Sequence, residues 1–262
     1  MTAVVPLESL ADREAFRRRR AAVWEQNVGY WLAGPLRHVV DVGDYIVNRA
    51  ESACLRARRK KPIVIDMGCG DAWFLREMLK HRKDNMIYIG LDSTEIFVEH
   101  GRAEFASEKN VRFELVDLEM PVEQRFSADL VVNSFNFLEL CDLDEAFANA
   151  SRFLRLGGTL QIATIDKTYL LFAVSRGWED FIQKLELYER LPGTKYSFQP
   201  IDLGHGVSET LFYPSVLYST EDYLNAAYAH GLELRSYKEH IFTASTVPKI
   251  YCHFEFCKIR RE

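Results

Sequence analysis

Three short strand-like segments, two of them apolar and the third alternating with Arg112 and Glu114, each close on an aspartate, and they constrain this chain more than any other feature of it. Ile63-Val64-Ile65 runs into Asp66, Met86 to Leu91 into Asp92, and Val111 to Val116 into Asp117. The aspartates stand 26 and 25 residues apart (92 − 66 and 117 − 92), room each time for one strand, one helix and two turns. Ala72 to His81 and Glu95 to Ala106 carry helical periodicity between them. The alternation continues through a strand at Leu130-Val131-Val132, a helix from Leu143 to Leu154, and a strand from Thr159 to Ile165 after the turn Gly157-Gly158. Unbroken β-branched runs mark strands buried on both faces, the habit of parallel sheets. Right-handed crossovers then place helices on both sides.

From Lys167 to Ser219 the alternation stops, and ten aromatics fall within 53 residues punctuated by Pro192, Pro200 and Pro214. A helix over Glu221 to His230 follows, ending at Gly231. Leu232 to Ile241 and Ile250 to Ile259 then read as strands with no room for a crossover helix, which predicts an antiparallel hairpin. Residues 10 to 60 read as two or three helices broken at Gly34-Pro35. The predicted fold is α/β, Rossmann-like and doubly wound. Its mostly parallel seven-stranded sheet carries an antiparallel final hairpin and an insertion before the sixth strand. The chain divides into an N-terminal helical cap (1–61) and a core (62–262), with a lid-like insertion at 167–219.

Composition removes other classes. With 262 residues, 48% of them hydrophobic, the chain can build a full core without disulfides. No run approaches the roughly 18 apolar residues of a membrane span, and Met1 to Arg20 lacks a signal-peptide core. A soluble, cytoplasmic protein is expected. Five scattered cysteines, without a CxxC pair, describe neither a disulfide framework nor a zinc site; no metal is expected. Net charge is −5, against the basic footprint of a nucleic-acid enzyme. The basic clusters Arg17 to Arg20 and Arg56 to Lys61 read as solvated helix faces.

In open α/β sheets, ligands sit beyond the carboxyl ends of the strands. Those ends here are Asp66 to Asp71 with Gly68 and Gly70, then Asp92-Ser93, Asp117-Leu118 and Asn133-Ser134. The glycines allow a tight turn and close approach of a ligand. Asp92 is placed to accept from two vicinal ribose hydroxyls, and Asp117 from an exocyclic amino group while the Leu118 N–H donates to a ring nitrogen. The set describes a nucleoside with an amino-acid-like tail. Trp73 occupies the third glycine position of a dinucleotide fingerprint, and Asp66 and Asp71 would repel pyrophosphate. A carboxylate, an ammonium and a sulfonium suit these acids better, as in S-adenosylmethionine.

Val64 to Gly70 resembles the glycine-rich motif of class I S-adenosylmethionine-dependent methyltransferases. Gly90-Leu91-Asp92 and Phe113 to Leu118 resemble their next two motifs, and Arg152 to Leu160 is similar to their late glycine-pair segment, with Leu156 in place of the usual proline. Tyr223 to Ala227 with Gly231-Leu232 resembles the small-molecule (quinone and natural-product) branch. The resemblance implies that Gly68 and Gly70 meet the methionine moiety and Asp66 its ammonium. It implies Asp92 with Ser93 at the ribose, Asp117 and Leu118 at the adenine, Asn133 on the methionine backbone, and Tyr30 or Trp31 closing over the cofactor. Glu139 stands where many small-molecule members carry a histidine, so it becomes a candidate to hold a cationic amine or accept a proton. His205, between two glycines, is the candidate base; Asn136, Tyr169, Tyr213 and Tyr218 are candidates to line the acceptor site. The expected activity is methyl transfer to a nitrogen or oxygen of a small molecule, in biosynthesis of a metabolite or natural product. Nucleic acid and membrane are not expected partners, and oligomerisation is left open. The alternatives are an RNA or protein methyltransferase, a nicotinamide oxidoreductase, and a catalytically silent nucleoside-binding protein.

Overall fold

The computed structural model describes residues 5–6, 10–33, 37–82, 85–123, 126–165, 195–201, 211–216, 218–242 and 249–260. Two helices lead: α1 (Leu10–Ala33) and α2 (Arg37–Arg56). Five parallel strands follow, β2 (Ile63–Met67), β3 (Ile87–Asp92), β4 (Val111–Leu115), β5 (Ala128–Ser134) and β6 (Leu154–Ile165). They alternate with α3 (Trp73–Arg82), α4 (Glu95–Glu104) and α5 (Leu143–Phe153). After α6 (Thr220–Ala229), β9 (Leu232–Phe242) and β10 (Lys249–Lys258) close the sheet as an antiparallel hairpin. The strand order is β4-β3-β2-β5-β6-β10-β9, the seven-stranded arrangement the alternation predicts.

The sheet separates two cores. On one face α2, α3 and α4 bury Val42, Ile46, Phe74, Met78 and Val98 against Val64, Tyr88 and Val132. On the other, α5 and α6 bury Phe147, Phe153 and Tyr223 against Ile65, Val131, Ile162 and Phe254. Burial on both faces explains the apolar runs of β2, β3 and β5, whereas β4 lies at the sheet's edge with Arg112 and Glu114 facing outward. Helix α6 begins with a reciprocal cap, Ser219 Oγ accepting from the Asp222 N–H while the Asp222 carboxylate accepts from the Ser219 N–H. Among the described residues no helix is long and apolar enough to cross a membrane.

Two details depart from expectation. Strand β6 starts at Leu154 rather than Thr159. The chain passes from α5 straight into the strand, and Gly157 (φ +76°) and Gly158 accompany a register slip against β5 instead of making a separate turn. A Cβ on Gly158 would lie 2.9 Å from the Ala128 carbonyl oxygen, so glycine is what lets the strands pass. The expected insertion also contributes strands: β7 (Lys195–Ile201) and β8 (Leu211–Val216) pair with each other, and β7 with β1 (Val5–Pro6), in a second, antiparallel sheet. Its prolines read as breakers, yet Pro200 and Pro214 lie within β7 and β8, aligned with Phe212 and Phe198. Phe16 of α1 packs with Val216 of β8 and Cys141, so cap and insertion share one small core.

Candidate functional site

Strand β2 lies where the order reverses, with β3 on one side and β5 on the other. The chains leaving these strands diverge there and open a crevice. A cavity of about 840 Å³, including its open mouth, fills it. Its floor is Gly68 to Asp71 after β2; its walls are Asp92 to Thr94 after β3, Val116 to Leu118 after β4, and Ser134 to Asn136 with Glu139 and Leu140 after β5. Arg20 and Trp24 of α1 form the roof beside Phe97, where Trp24 and Phe97 meet edge to face with centroids 6.2 Å apart.

The glycine loop is held from below. Gly68 and Cys69 donate backbone N–H bonds to the Leu91 carbonyl (2.7 and 3.0 Å). Gly68 and Gly70 have φ of +75° and +48°, where a side chain is strained. A Cβ at Gly68 would lie 2.4 Å from the Asn136 side chain, whereas one at Gly70 meets nothing within 4 Å. Gly70 thus borders open space, as a backbone approached by a ligand should. Ala72 and Phe135 also have positive φ (62° and 67°), strain sited beside the cavity.

Asp92 accepts from the Gly70 N–H through Oδ2 and from the Thr94 N–H through Oδ1, both at 2.9 Å. It therefore clamps the first loop to the second while lining the cavity with Ser93. Burial raises its carboxyl above the ordinary value, opposed by those two N–H groups. Asp117 lines the cavity beside Leu118 and accepts from the Glu119 N–H at 3.0 Å. Asp66 is buried below the loop, where its Oδ2 accepts from the Tyr88 hydroxyl (2.8 Å). Burial pushes its carboxyl up to about 7, Tyr88 opposing and Asp92 and Asp71 adding to the rise.

Asn133 does not reach the cavity wall. It is fully buried, its Nδ2 donating to the Met67 carbonyl (2.6 Å) and its Oδ1 accepting from the Phe137 N–H (3.0 Å), so it ties β2 to β5. Tyr218 likewise is taken up by the fold, donating to the Leu140 carbonyl at 2.7 Å. Asn136 and Glu139 do line the cavity. The side chains of Tyr30, Trp31 and Tyr213, and the whole of Tyr169 and His205, lie outside the described residues.

The roof corrects the reading of the basic run as a solvated face. Arg18 does pair outward with Glu14. Arg20, however, is buried, its guanidinium 2.6 Å from Glu119 Oε2 and donating to the Glu139 carbonyl (2.7 Å), and Arg17 stands 3.4 Å from the same Glu119 oxygen. Glu119 Oε1 accepts in turn from the N–H groups of Cys141 and Asp142, while Trp24 Nε1 donates to Glu139 Oε2 at 2.7 Å. Arg20 and Trp24 were legible in principle. With Phe16 and Val23 they recur at the three-to-four-residue spacing that puts side chains on one helix face. The second basic cluster is also neutralised in part, Arg56 pairing with Glu255 and Arg59 standing 3.9 Å from Asp129.

The residues present fit an adenosine joined to a charged amino acid. Asp71, Asp92, Asp117 and Glu139 face the cavity against one cation, Arg20, among its described lining residues. Ser134 Oγ and Asn136 Oδ1, both from residues of the cavity wall, are buried without a hydrogen-bond partner, a hydroxyl and an amide oxygen still owed partners. Among the described residues no cluster of His, Cys, Asp and Glu could hold a metal ion.

Residues 64–158 match the family model described as a methyltransferase domain. A malonyl-[acyl-carrier protein] O-methyltransferase of Hahella chejuensis is 28% identical over 138 residues, 53% of this chain and 46% of that protein; the match thus spans about half the relative's length. Among solved structures, an S-adenosylmethionine-dependent methyltransferase from Mesorhizobium loti has a TM-score of 0.55 at 18% identity, covering 82% of this chain and 99% of that one. A SAM-dependent methyltransferase from Methanosarcina mazei has a TM-score of 0.57 at 12% identity, covering 78% and 95%. The structure pairing the Trm112 methyltransferase activator of Haloferax volcanii with a methyltransferase gives 0.52 at 16% identity, covering 95% and 98%. At such identities the likeness is one of fold.

Proposed function

We propose that this chain, whose fold and matching domain are those of S-adenosylmethionine-dependent methyltransferases, methylates a nitrogen or oxygen nucleophile of a small molecule. The observation that carries the reading is the Asp92 carboxylate. It clamps Gly70 and faces the same cavity as Asp117 and Glu139, so strand-end acids and glycine loop form one acceptor-rich surface. S-adenosylmethionine supplies a methyl group already activated by its sulfonium. Asp92, with Ser93 beside it, would accept from the ribose hydroxyls, and Asp117 with Leu118 would hold the adenine. Gly68 and Gly70 would let the methionine moiety approach, and buried Asp66 would lie beneath it, supplying negative charge where the pH exceeds about 7.

The remaining work is positioning, which can supply about 7–11 kcal/mol. Helix α1 covers the cavity through Arg20 and Trp24 and would exclude water during transfer. Glu139 would keep α1 seated through Trp24 and present a carboxylate toward the acceptor. A base, if the acceptor needs one, falls to His205. Acceptor contacts fall to Asn136, Tyr169 and Tyr213. The cap (1–61) and the segment 167–219 would enclose the acceptor, in the biosynthesis of a cytoplasmic metabolite. The inward turn of Arg17 and Arg20 removes the main support for an RNA acceptor, because those charges are spent on Glu119.

Two measurements test this. Calorimetry should show S-adenosylmethionine and adenosylhomocysteine binding, weakened at least tenfold by Asp92→Ala while the variant stays folded. Unchanged affinity would remove Asp92 from the cofactor site. Methyl-labelled S-adenosylmethionine incubated with a fractionated cell extract should label small molecules; label confined to RNA or protein would overturn the acceptor class.

A further inference from the structure

The face of the sheet beneath α2 carries buried polar atoms that the cofactor cavity does not use. Aligned residues on neighbouring strands share a face. Gln161 and Ala163 of β6 therefore stand beside Glu255 and His253 of β10, and these beside Ser236 and Lys238 of β9. Helix α2 covers the patch. Its Tyr45 ring meets His253 and His240 edge-on, with centroids 5.1 and 4.3 Å apart, and its Arg49 pairs with Glu255.

Both amide atoms of Gln161, both ring nitrogens of His253, Nε2 of His240 and Nε of Arg49 are buried there without a hydrogen-bond partner. Gln161 is 1% and His253 2% exposed. An unpaired buried polar group is destabilising, and six such atoms in one patch call for a partner. Three of the six are donors able to meet an anion, the Arg49 Nε–H, the Gln161 Nε2 amide and one N–H of the neutral His253 ring, while Gln161 Oε1 and the other His253 nitrogen are acceptors. Burial, with Arg49, His240 and Lys238 adding, lowers His253 to about 4, so the ring is neutral at pH 7. Among the described residues, Arg49 and Arg56 share the one carboxylate of Glu255 and Lys238 stands over the Tyr45 ring, a surplus of positive charge opposite in sign to the cofactor cavity.

The patch also adjoins that cavity. Ser134 of the cavity wall aligns with Ala163, and Ala163 with His253, which is two strand spacings or roughly 10 Å. Phe135 of the wall meets Tyr251 edge-on at 5.8 Å on the way. We propose that Arg49, Gln161 and His253 form an anion-binding site that takes a carboxylate borne by the acceptor. As an acceptor subsite it rests on the methyl-transfer reading; as an anion site it stands alone. Helix α2 seals the patch, so the ligand enters with an outward shift of that helix.

The test is calorimetric titration of the full chain at pH 7 with succinate, with uncharged succinamide and inorganic phosphate as controls, with and without adenosylhomocysteine. Succinate should bind at least tenfold more tightly than either control. Gln161→Leu and His253→Phe should each weaken succinate at least tenfold and leave adenosylhomocysteine affinity unchanged. Both should melt no lower than the native chain, since replacing unpaired polar groups by apolar ones of similar size is neutral or stabilising. No succinate binding, tighter phosphate binding, or succinate affinity unaltered in both variants would overturn the proposal. So would two variants that melt lower with succinate affinity retained, which would assign these groups to the fold. Succinate binding without any adenosylhomocysteine binding would support the anion site while sinking the cofactor reading.

Discussion

At the scale of single residues, Gly68 and Gly70 answer different demands, although both have positive φ. Gly68 lies under Asn136, so an added methyl must push that side chain aside; Gly70 faces the cavity with nothing near. Gly68→Ala should therefore cost about 2–3 kcal/mol, strain plus displacement, and Gly70→Ala about 1–2 kcal/mol, strain alone. Gly70→Ala should nevertheless weaken adenosylhomocysteine by more than its stability loss implies, because its methyl occupies ligand space. Urea melts paired with calorimetry decide it; equal costs with unaltered affinity would refute the distinction. Asp66 permits a pH test. Its carboxyl titrates near 7 in the fold and near 3.8 when unfolded, so between those values the native state holds a proton that the unfolded chain releases. Stability from this residue is therefore lost as pH rises from about 4 to 7. His253, lowered to about 4, works the opposite way as pH falls below 6.5. Asp66→Asn should gain stability relative to the native chain between pH 5 and pH 8; parallel curves would show that Asp66 does not titrate in that range.

At the scale of elements, α1 is joined to the core by charge and by ring contacts. Glu119 is fully buried in its side chain and Arg20 nearly so, and removing one partner of such a pair strands the other. Arg20→Met should cost about 3 kcal/mol, at the low end of that class because Arg17 and two backbone N–H groups remain on Glu119. The loss belongs to α1 more than to the sheet. Limited proteolysis should cut faster within residues 10–33 and cofactor affinity should fall, while hydrogen exchange in β2 and β5 stays slow. Unchanged cleavage would show that the Arg20–Glu119 pair does not seat the helix. Sequence reading found α1 and its boundaries but misjudged its inner face, since Glu119 is 99 positions from Arg20 (119 − 20) and no local pattern announces such a pairing.

For the molecule as a whole, the cavity collects the ends of four parallel strands and one face of α1, so its occupant ties together elements far apart in sequence. A ligand that binds only the folded state adds RT ln(1 + [L]/Kd), about 2.7 kcal/mol at one hundred times Kd. Adenosylhomocysteine at that excess should raise the melting temperature by roughly 5–10 °C for a chain of this size. A shift near zero would contradict the cofactor site.

Sequence alone determined the strands, the crossover helices, the glycine loop and the three acids at the sheet's edge. Those features follow from short-range rules: β-branched runs, helical periodicity, and glycine where φ must be positive. The docking of the chain decided what lay beyond their reach. It turned Arg20 inward, withdrew Asn133 from the cavity to bond Met67 and Phe137, recruited proline-bearing strands into a second sheet with the N-terminal residues, and left the polar atoms of Gln161 and His253 buried without hydrogen-bond partners. A polar side chain's partner is chosen by which elements come to lie against it, and that distance is measured in space and not along the chain.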